Sequence, residues 1–361
     1  MQTPMGPGTS LRQTAGLMCG AYQQAGAVPS NKSTPGIPGV GTDGGLAWRL
    51  PGYYKEAILR AFLDFPRTGR VGGTEGRGLV TEWAYVNGEF CELSQARVSV
   101  EDRGFQFADG VYEVVMAYGR RPFRLPEHLA RLRRSSEAIG LRFDFDSGLL
   151  ESVVSEGIER CEFADVQIYL QLTRGQAPRS HPFPAGVRPT VVAVFKPRQP
   201  IDPARRERGL TLISVPDERW ANCHIKSVAL LPNVLARQKA LEAGADEAVF
   251  VSPRGEVHEA TSANVFIVSD GALRTPPRSN KILGGITREY VLECAARTRV
   301  PAAEEIVRLD ELYAADELLM TSTNLEVMGA VRLNDRPIGD GRVGPVTRAL
   351  HAEFLRGVGT K

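Results

Sequence analysis

Lys226 stands apart from the other lysines of this chain, which has seven lysines against thirty-seven arginines. Lys32, Lys55, Lys239, Lys281 and Lys361 fall in loops, on a charged helix face or at the terminus, and Lys196 precedes a proline at a strand end. Lys226 instead follows Ile225 and precedes VALL (228–231), with no acid within seven residues on either side. An amine in apolar surroundings loses hydration of its charged form, which frees the neutral amine to attack a carbonyl and form a Schiff base. Pyridoxal phosphate is a carbonyl cofactor that uses a lysine in this way. Taken alone, a lysine snorkelling from a strand edge is the better explanation of the pattern.

Three further groups of residues have the chemistry such a cofactor needs. Gly284, Gly285, Ile286 and Thr287 form a glycine turn running into a helix, whose free N–H groups and positive dipole end suit a phosphate dianion. A second hydroxyl cluster, Thr321, Ser322, Thr323 and Asn324, ends a strand, and Arg131 on a helix offers a charged contact. A ring nitrogen acts as an electron sink when protonated, and a carboxylate beside it keeps the proton there. Glu259, in HEATSAN, is preferred for that role over the more exposed Glu256. Finally, TRGQAPRSHP (173–182) carries Arg179 and His181 at a spacing of two, which in extended chain places both on one side, where they could clamp a carboxylate. Each group also has a plainer reading: a glycine turn, a solvated helix arginine, a capping acid, a polar surface loop.

The elements around these groups read as a mixed α+β chain. AYVNGEF is a hairpin turning at Asn87-Gly88, and 111–125 alternates as two strands. Pro126 opens a helix with Leu129, Leu132 and Ile139 on one face, and a second helix covers about 148–161. Strands follow at 165–173 and 190–195. The Pro- and Arg-rich stretch 198–206 reads as a linker. Beyond it come a strand at 210–215, the Lys226 segment, a helix from Pro232 to about Ala243, strands at 246–251, 256–259 and 263–268, a helix at 286–298, a strand at 316–321, a hairpin around Asn334-Asp335 and a helix near 345–356. The mixture of hairpins and helices suggests two α+β domains, 81–197 and 207–361, rather than a regular βαβ array.

Residues 1–80 differ in kind. They hold 16 of the 37 glycines and no acid before Asp43, so a disordered extension is expected, with one short amphipathic helix at 55–65. Gly39-x-Gly41-x-x-Gly44 fits a dinucleotide fingerprint only literally, because no strand precedes it. The sequon at Asn31 follows no secretory signal. An over-extended start would account for this segment. The net charge of +2, from 44 basic and 42 acidic side chains, gives no reason to expect nucleic acid. Five scattered cysteines without a CxxC indicate neither a disulfide framework nor a metal site, and no apolar run approaches a membrane span. A cytoplasmic protein is expected.

Together, EDRGFQFADGVYEVV (101–115), HLARL (128–132), LTRGQAPRSHPFP (172–184), the RW…C.IKS..LL pattern (219–231), EATSANVF (259–266), ILGGITRE (282–289) and TSTNLE (321–326) resemble the fold-type IV pyridoxal phosphate enzymes, and within them the D-amino-acid (D-alanine) aminotransferases. The resemblance runs from about 84 to the C-terminus. It implies that Lys226 binds the cofactor and moves the substrate proton. It further implies that Glu259 pairs with the ring nitrogen, and that Arg131, Ile286, Thr287 and Thr323 hold the phosphate. Tyr112, Arg179 and His181 would trap the substrate carboxylate, in a trap completed across a homodimer interface. The implied reaction passes the amino group of a D-alanine-like amino acid to 2-oxoglutarate or a similar 2-oxo acid, giving a pyruvate-type acid and a D-glutamate-type product. The long N-terminal segment departs from the family pattern, as do Asn222 and His224 near the lysine, which leaves the side-chain preference open. On the same fold, a branched-chain L-amino-acid aminotransferase would need an uncharged wall at Arg179 and His181, and an aminodeoxychorismate lyase would release pyruvate without an acceptor. A non-catalytic cofactor-binding or nucleic-acid module is disfavoured by the charge balance.

Overall fold

The computed structural model describes residues 81–359. The expected extension over 1–80, with its helix at 55–65, lies outside the described residues. The first part of the described chain comprises β1 (Trp83–Val86), β2 (Glu89–Glu92), α1 (Arg103–Phe107), β3 (Gly110–Tyr118), β4 (Arg121–Pro122), α2 (Leu125–Ala138), α3 (Leu149–Arg160), β5 (Val166–Thr173) and β6 (Thr190–Pro197). The remainder comprises α4 (Pro203–Arg208), β7 (Leu210–Pro216), α5 (Leu231–Glu242), β8 (Glu247–Val251), β9 (Val257–Ala260), β10 (Asn264–Ser269), β11 (Ala272–Thr275), α6 (Ile286–Thr298), β12 (Ala302–Glu304), α7 (Leu309–Ala314), β13 (Glu317–Ser322), β14 (Glu326–Leu333), β15 (Arg336–Pro337) and α8 (Pro345–Val358).

Two sheets result. The six-stranded sheet, β2-β1-β6-β5-β3-β4, is antiparallel throughout. The larger sheet, β12-β11-β10-β13-β14-β7-β8-β9 with β15 beside β14, is mixed, since β7 pairs in parallel with both β14 and β8. The apolar stripes of α2 and α3 bury Leu129, Leu132, Val153, Val154 and Ile158 against Ile168, Leu170 and Phe195 of the first sheet. Helix α3 lies so close that a Cβ on Gly157 would fall 2.0 Å from the Phe195 ring, so only glycine fits there.

The larger sheet has its own core around Val265, Ile267, Met320 and Met328. A third cluster crosses between the sheets, joining Met116 and Tyr118 of β3 to Phe266, Tyr290, Leu350 and Phe354. Buried Glu326 of β14 adds polar ties at the same junction. Its carboxylate accepts from Tyr118 Oη at 3.1 Å, Arg198 Nη2 at 2.5 Å and Arg206 Nη2 at 2.8 Å. The stretch read as a linker, 198–206, runs into a short helix, α4, capped by Asp202 accepting from the Ala204 N–H. The same stretch supplies both of the arginines that hold Glu326. No helix among the described residues is long and apolar enough to cross a membrane.

Candidate active site

Lys226 is aimed by strand pairing. Its carbonyl accepts from the Tyr112 N–H at 2.9 Å, the Val228 N–H donates to the Gly110 carbonyl at 3.1 Å, and Ser227 bridges Val111. The segment thus lies antiparallel beside the start of β3. Side chains alternate along such a strand. Ile225 and Ser227 are buried, with Ile225 in the core of the first sheet, so Lys226 points the other way, into a cavity of about 290 Å³. Its backbone N–H is fixed by Ser135 Oγ at 3.1 Å. Its Nζ stands 4.2 Å from the centre of the Tyr112 ring, which in turn stacks on Tyr169. The flanking residues are apolar as the sequence suggests, but the amine itself meets an aromatic face and polar walls.

Glu259 lines the same cavity and is buried. Its carboxylate accepts from Arg219 Nη1 at 2.5 Å, the Leu283 N–H at 3.0 Å and Asn264 Nδ2 at 3.2 Å. Burial pushes this carboxyl up, and the Arg219 guanidinium, the Leu283 amide and the Lys226 charge pull it back only in part. A buried carboxylate gains most from a further cation, so a ring nitrogen set against Glu259 would keep its proton. Arg219 is itself held bidentately by Asp217 at 2.9 Å, and Asp217 also contacts His258 Nδ1 at 2.6 Å. Burial would raise the Asp217 carboxyl, but His258 and Arg219 override it and hold it well below the usual range.

Arg131 lines the cavity from α2, where it shares one buried face with His128 and Ser135 at helical spacing. Arg131 is clamped by Glu113 of β3, through Nε at 2.6 Å and Nη2 at 2.8 Å, and donates from Nη1 to the Gly284 carbonyl at 2.8 Å. Those three bonds leave two of its five N–H groups for a ligand. Beyond it, α6 starts at Ile286 without a side-chain cap, so the Ile286 and Thr287 amides have no partner among the described residues. Gly285 is required here by close approach. A Cβ at this position would lie 2.0 Å from Asn264 Oδ1, whose amide serves both Glu259 and the Leu283 carbonyl. Gly285→Ala is expected to destabilise the fold by roughly 1–3 kcal/mol, as overpacking does. It should also weaken cofactor binding, read by denaturant titration and by cofactor dissociation; full retention of both would contradict this packing.

The residues present fit pyridoxal phosphate. The buried Thr321 Oγ1 has no hydrogen-bond partner among the described residues, and it lines the cavity with Thr323, the α6 amides and Arg131. These groups together can hold a dianion at one end, with Glu259 placed for a ring nitrogen and Lys226 for a carbonyl. When bound, the cofactor supplies that carbonyl and a ring able to take up an electron pair freed at the substrate's α carbon. Lys226, as the lysine lining the cavity, is the group that can take and return a proton there.

Of the residues singled out from sequence, Lys226, Glu259, Arg131, Ile286, Thr287, Thr323 and Tyr112 line this one cavity. Arg179 and His181 do not. Both are exposed on the loop after β5, beside Phe107 of α1, with the Arg179 guanidinium 4.5 Å and the His181 ring 5.5 Å from the Phe107 ring centre. Asn222 and His224 are exposed. Arg219, Asp217, Glu113, His128 and Asn264 have no counterpart among the sequence expectations.

A lysine, a buried acid and an anion cradle around one cavity, set between an antiparallel sheet and a mixed one, define an enzyme built on a phosphorylated carbonyl cofactor. Residues 110–333 match the family described as amino-transferase class IV. A D-alanine aminotransferase of Bacillus licheniformis is 41% identical over 272 residues, covering 75% of this chain and 95% of the relative. Among solved structures, a branched-chain aminotransferase of Thermoproteus uzoniensis with norvaline is 27% identical, with a TM-score of 0.69 and coverage of 77% and 95%. A branched-chain amino acid aminotransferase from T.th., solved with pyridoxamine 5′-phosphate, is 27% identical, with a TM-score of 0.72 and coverage of 77% and 94%. This chain belongs to the class IV aminotransferases, and its cofactor is pyridoxal 5′-phosphate.

Proposed function

We propose that this aminotransferase acts on D-amino acids of the D-alanine type, with 2-oxoglutarate or a similar 2-oxo acid as acceptor, and works as a cytoplasmic homodimer. The observation that carries the reading is the pair Arg179 and His181. No carboxylate among the described residues pairs with either side chain, and the strongest polar contact of Arg179 is a 3.4 Å bond to the Gln106 carbonyl. Two basic side chains left without an acid, on a loop outside the chain's own cavity, suit a substrate carboxylate bound in the cavity of a second copy, beside that copy's Tyr112. A dimer is also favoured by α5, whose outer face exposes Leu231, Val234, Leu235 and Leu241. An unpartnered apolar face of this kind marks an interaction site. The similarity to D-alanine aminotransferases at 41% identity supports the handedness.

In this reading Lys226 carries the cofactor and moves the α proton, Glu259 pairs with the ring nitrogen, and Arg131, Ile286, Thr287 and Thr323 hold the phosphate. With the carboxylate fixed on one side, a single enantiomer points its Cα–H at Lys226. The branched-chain alternative rests on the solved structures at 27% identity. The experiment is an absorbance spectrum of the holoenzyme with D-alanine or, separately, L-leucine, without acceptor. Loss of the bound-cofactor band with D-alanine alone supports the proposal, and loss with L-leucine alone overturns it. Arg179→Ala is expected to lower kcat/KM for D-alanine by roughly 2–3 kcal/mol, the scale of a charge-assisted contact. An unchanged kcat/KM would remove the carboxylate role.

A further inference from the structure

The loop that carries Arg179 and His181 is fixed to the body of the protein from beneath. Arg103 of α1 is 3% exposed and donates in three directions: Nε to Asp109 Oδ2 at 2.8 Å, Nη1 to the Ser180 carbonyl at 2.5 Å, and Nη2 to the His181 carbonyl at 3.2 Å. Asp109 also accepts from Arg174 Nε at 2.8 Å, and Arg174 reaches the Ile139 and Gly140 carbonyls while stacking 3.6 Å from the Phe183 ring centre. Burial would raise the Asp109 carboxyl, but the two guanidinium groups override it and keep it charged. Asp102, next to Arg103, accepts from Thr173 Oγ1, Thr190 Oγ1 and the Gly104 N–H, so the foot of the loop is tied as well. Phe107 then lies under Arg103, Arg179 and His181 at 4.9, 4.5 and 5.5 Å.

From this arrangement we infer that Arg103 is a positioning residue for substrate carboxylate recognition, acting through the Ser180 and His181 carbonyls, with Phe107 as the platform that orients Arg179 and His181. The inference rests on the proposed carboxylate role of those two residues. Two basic side chains on a free surface loop would lose conformational freedom on meeting an anion. Here the backbone between them is held in advance by a buried guanidinium, so less ordering remains to be done when the anion arrives. Arg103 is suited to this because its planar fork spans two carbonyls while its Nε faces Asp109, and lysine, with a single ammonium, cannot reach all three acceptors in that geometry.

The test uses the holoenzyme and two readouts: KM and kcat for D-alanine, and the calorimetric dissociation constant of propionate, which carries a carboxylate but no amine. Arg103→Lys is expected to raise the KM and the propionate dissociation constant together by roughly 10–100-fold, the scale of an ångström-sized misplacement. The kcat at saturation and the bound-cofactor spectrum should stay near wild type. Phe107→Leu, which keeps apolar volume and removes the ring face, should move the same two constants in the same direction, and it decides the matter if Arg103→Lys does not fold. Unchanged constants in the variants, alongside raised constants in Arg179→Ala, would overturn the positioning role and leave the proposed function standing. Unchanged constants in Arg179→Ala would remove both. A parallel fall of kcat with loss of cofactor in both variants would mark a general structural role and overturn the inference.

Discussion

Lys226→Ala is expected to cut transamination by at least about 10²–10⁴-fold, the range lost with a positioned acid–base group, and to abolish the absorbance band of a lysine-bound cofactor. Among the described residues lining the cavity there is one lysine, Lys226, and four arginines, of which Arg205 and Arg237 pair with Asp246 and Glu247 and the other two are Arg131 and Arg219. Neither arginine can replace it, because a guanidinium stays protonated and both are committed to buried carboxylates, Glu113 and Glu259. The proposed phosphate cradle does not include Lys226, since it would consist of the Ile286 and Thr287 amides, Thr321, Thr323 and Arg131. The variant should therefore still bind the phosphorylated cofactor without the covalent link, which a dissociation measurement on the pyridoxamine form would read. Turnover near the wild-type level, or an unchanged absorbance band, would end the assignment of Lys226.

Much of the fold is legible in the sequence where local signals agree with it. Helix α6 has the limits that Gly284-Gly285 and the following apolar spacing suggest, and α2 begins within a residue of the position set by Pro126. Helix α1 leaves no such signal. Its five residues make a single turn fixed by Asp102 accepting from the Gly104 N–H, too short to produce a 3.6-residue pattern. The six residues of α7 are hidden for the same reason.

Among the site residues, those with distinctive chemistry in a distinctive local setting stand out, and those that hold them do not. Arg219 reaches Glu259 across 40 positions and Arg131 reaches Gly284 across 153. Such pairings come from sheet order and helix docking, which one sequence does not display. Glu113 does leave a trace. It shares strand parity with Val111 and Val115, which are fully buried core residues, and an acid on a core-facing position requires a partner. The His128, Arg131, Ser135 stripe on α2 is the matching trace on the helix side. Together, the two separate Arg131 from exposed Arg134 and from Arg133, which pairs with Asp146 at the surface.

That buried acid gives the largest expected stability effect. Glu113→Ala should lower unfolding free energy by about 3–5 kcal/mol at neutral pH, because removing one partner of a buried pair leaves the other charge uncompensated. Arg131 would retain only the Gly284 carbonyl, and His128 would lose the acceptor for its Nδ1. The sign of the pH dependence follows from the carboxyl. Burial alone would raise it, but Arg131 and His128 override that and hold it far below the ordinary 4.5. A depressed folded value means the contribution is fully present above about pH 4.5 and is lost as the pH falls through the folded value. Burial meanwhile lowers the His128 imidazole against the pull of Glu113, so at neutral pH it is an uncharged donor to the carboxylate and Arg131 is the charge that matters. The gap between wild type and Glu113→Ala in urea denaturation should therefore be widest at neutral pH and narrow progressively below pH 4.5. Since Glu113 also fixes the plane of Arg131, cofactor affinity should fall by about tenfold or more, equivalent to one charge-assisted bond of about 1.5–3 kcal/mol. A pH-independent gap would contradict a charged, depressed Glu113 carboxyl as the source of the stability, whereas a loss of stability with cofactor affinity intact would separate the fold-holding role of Glu113 from the aim of Arg131 and leave the proposed phosphate contact to the α6 amides and the threonine hydroxyls.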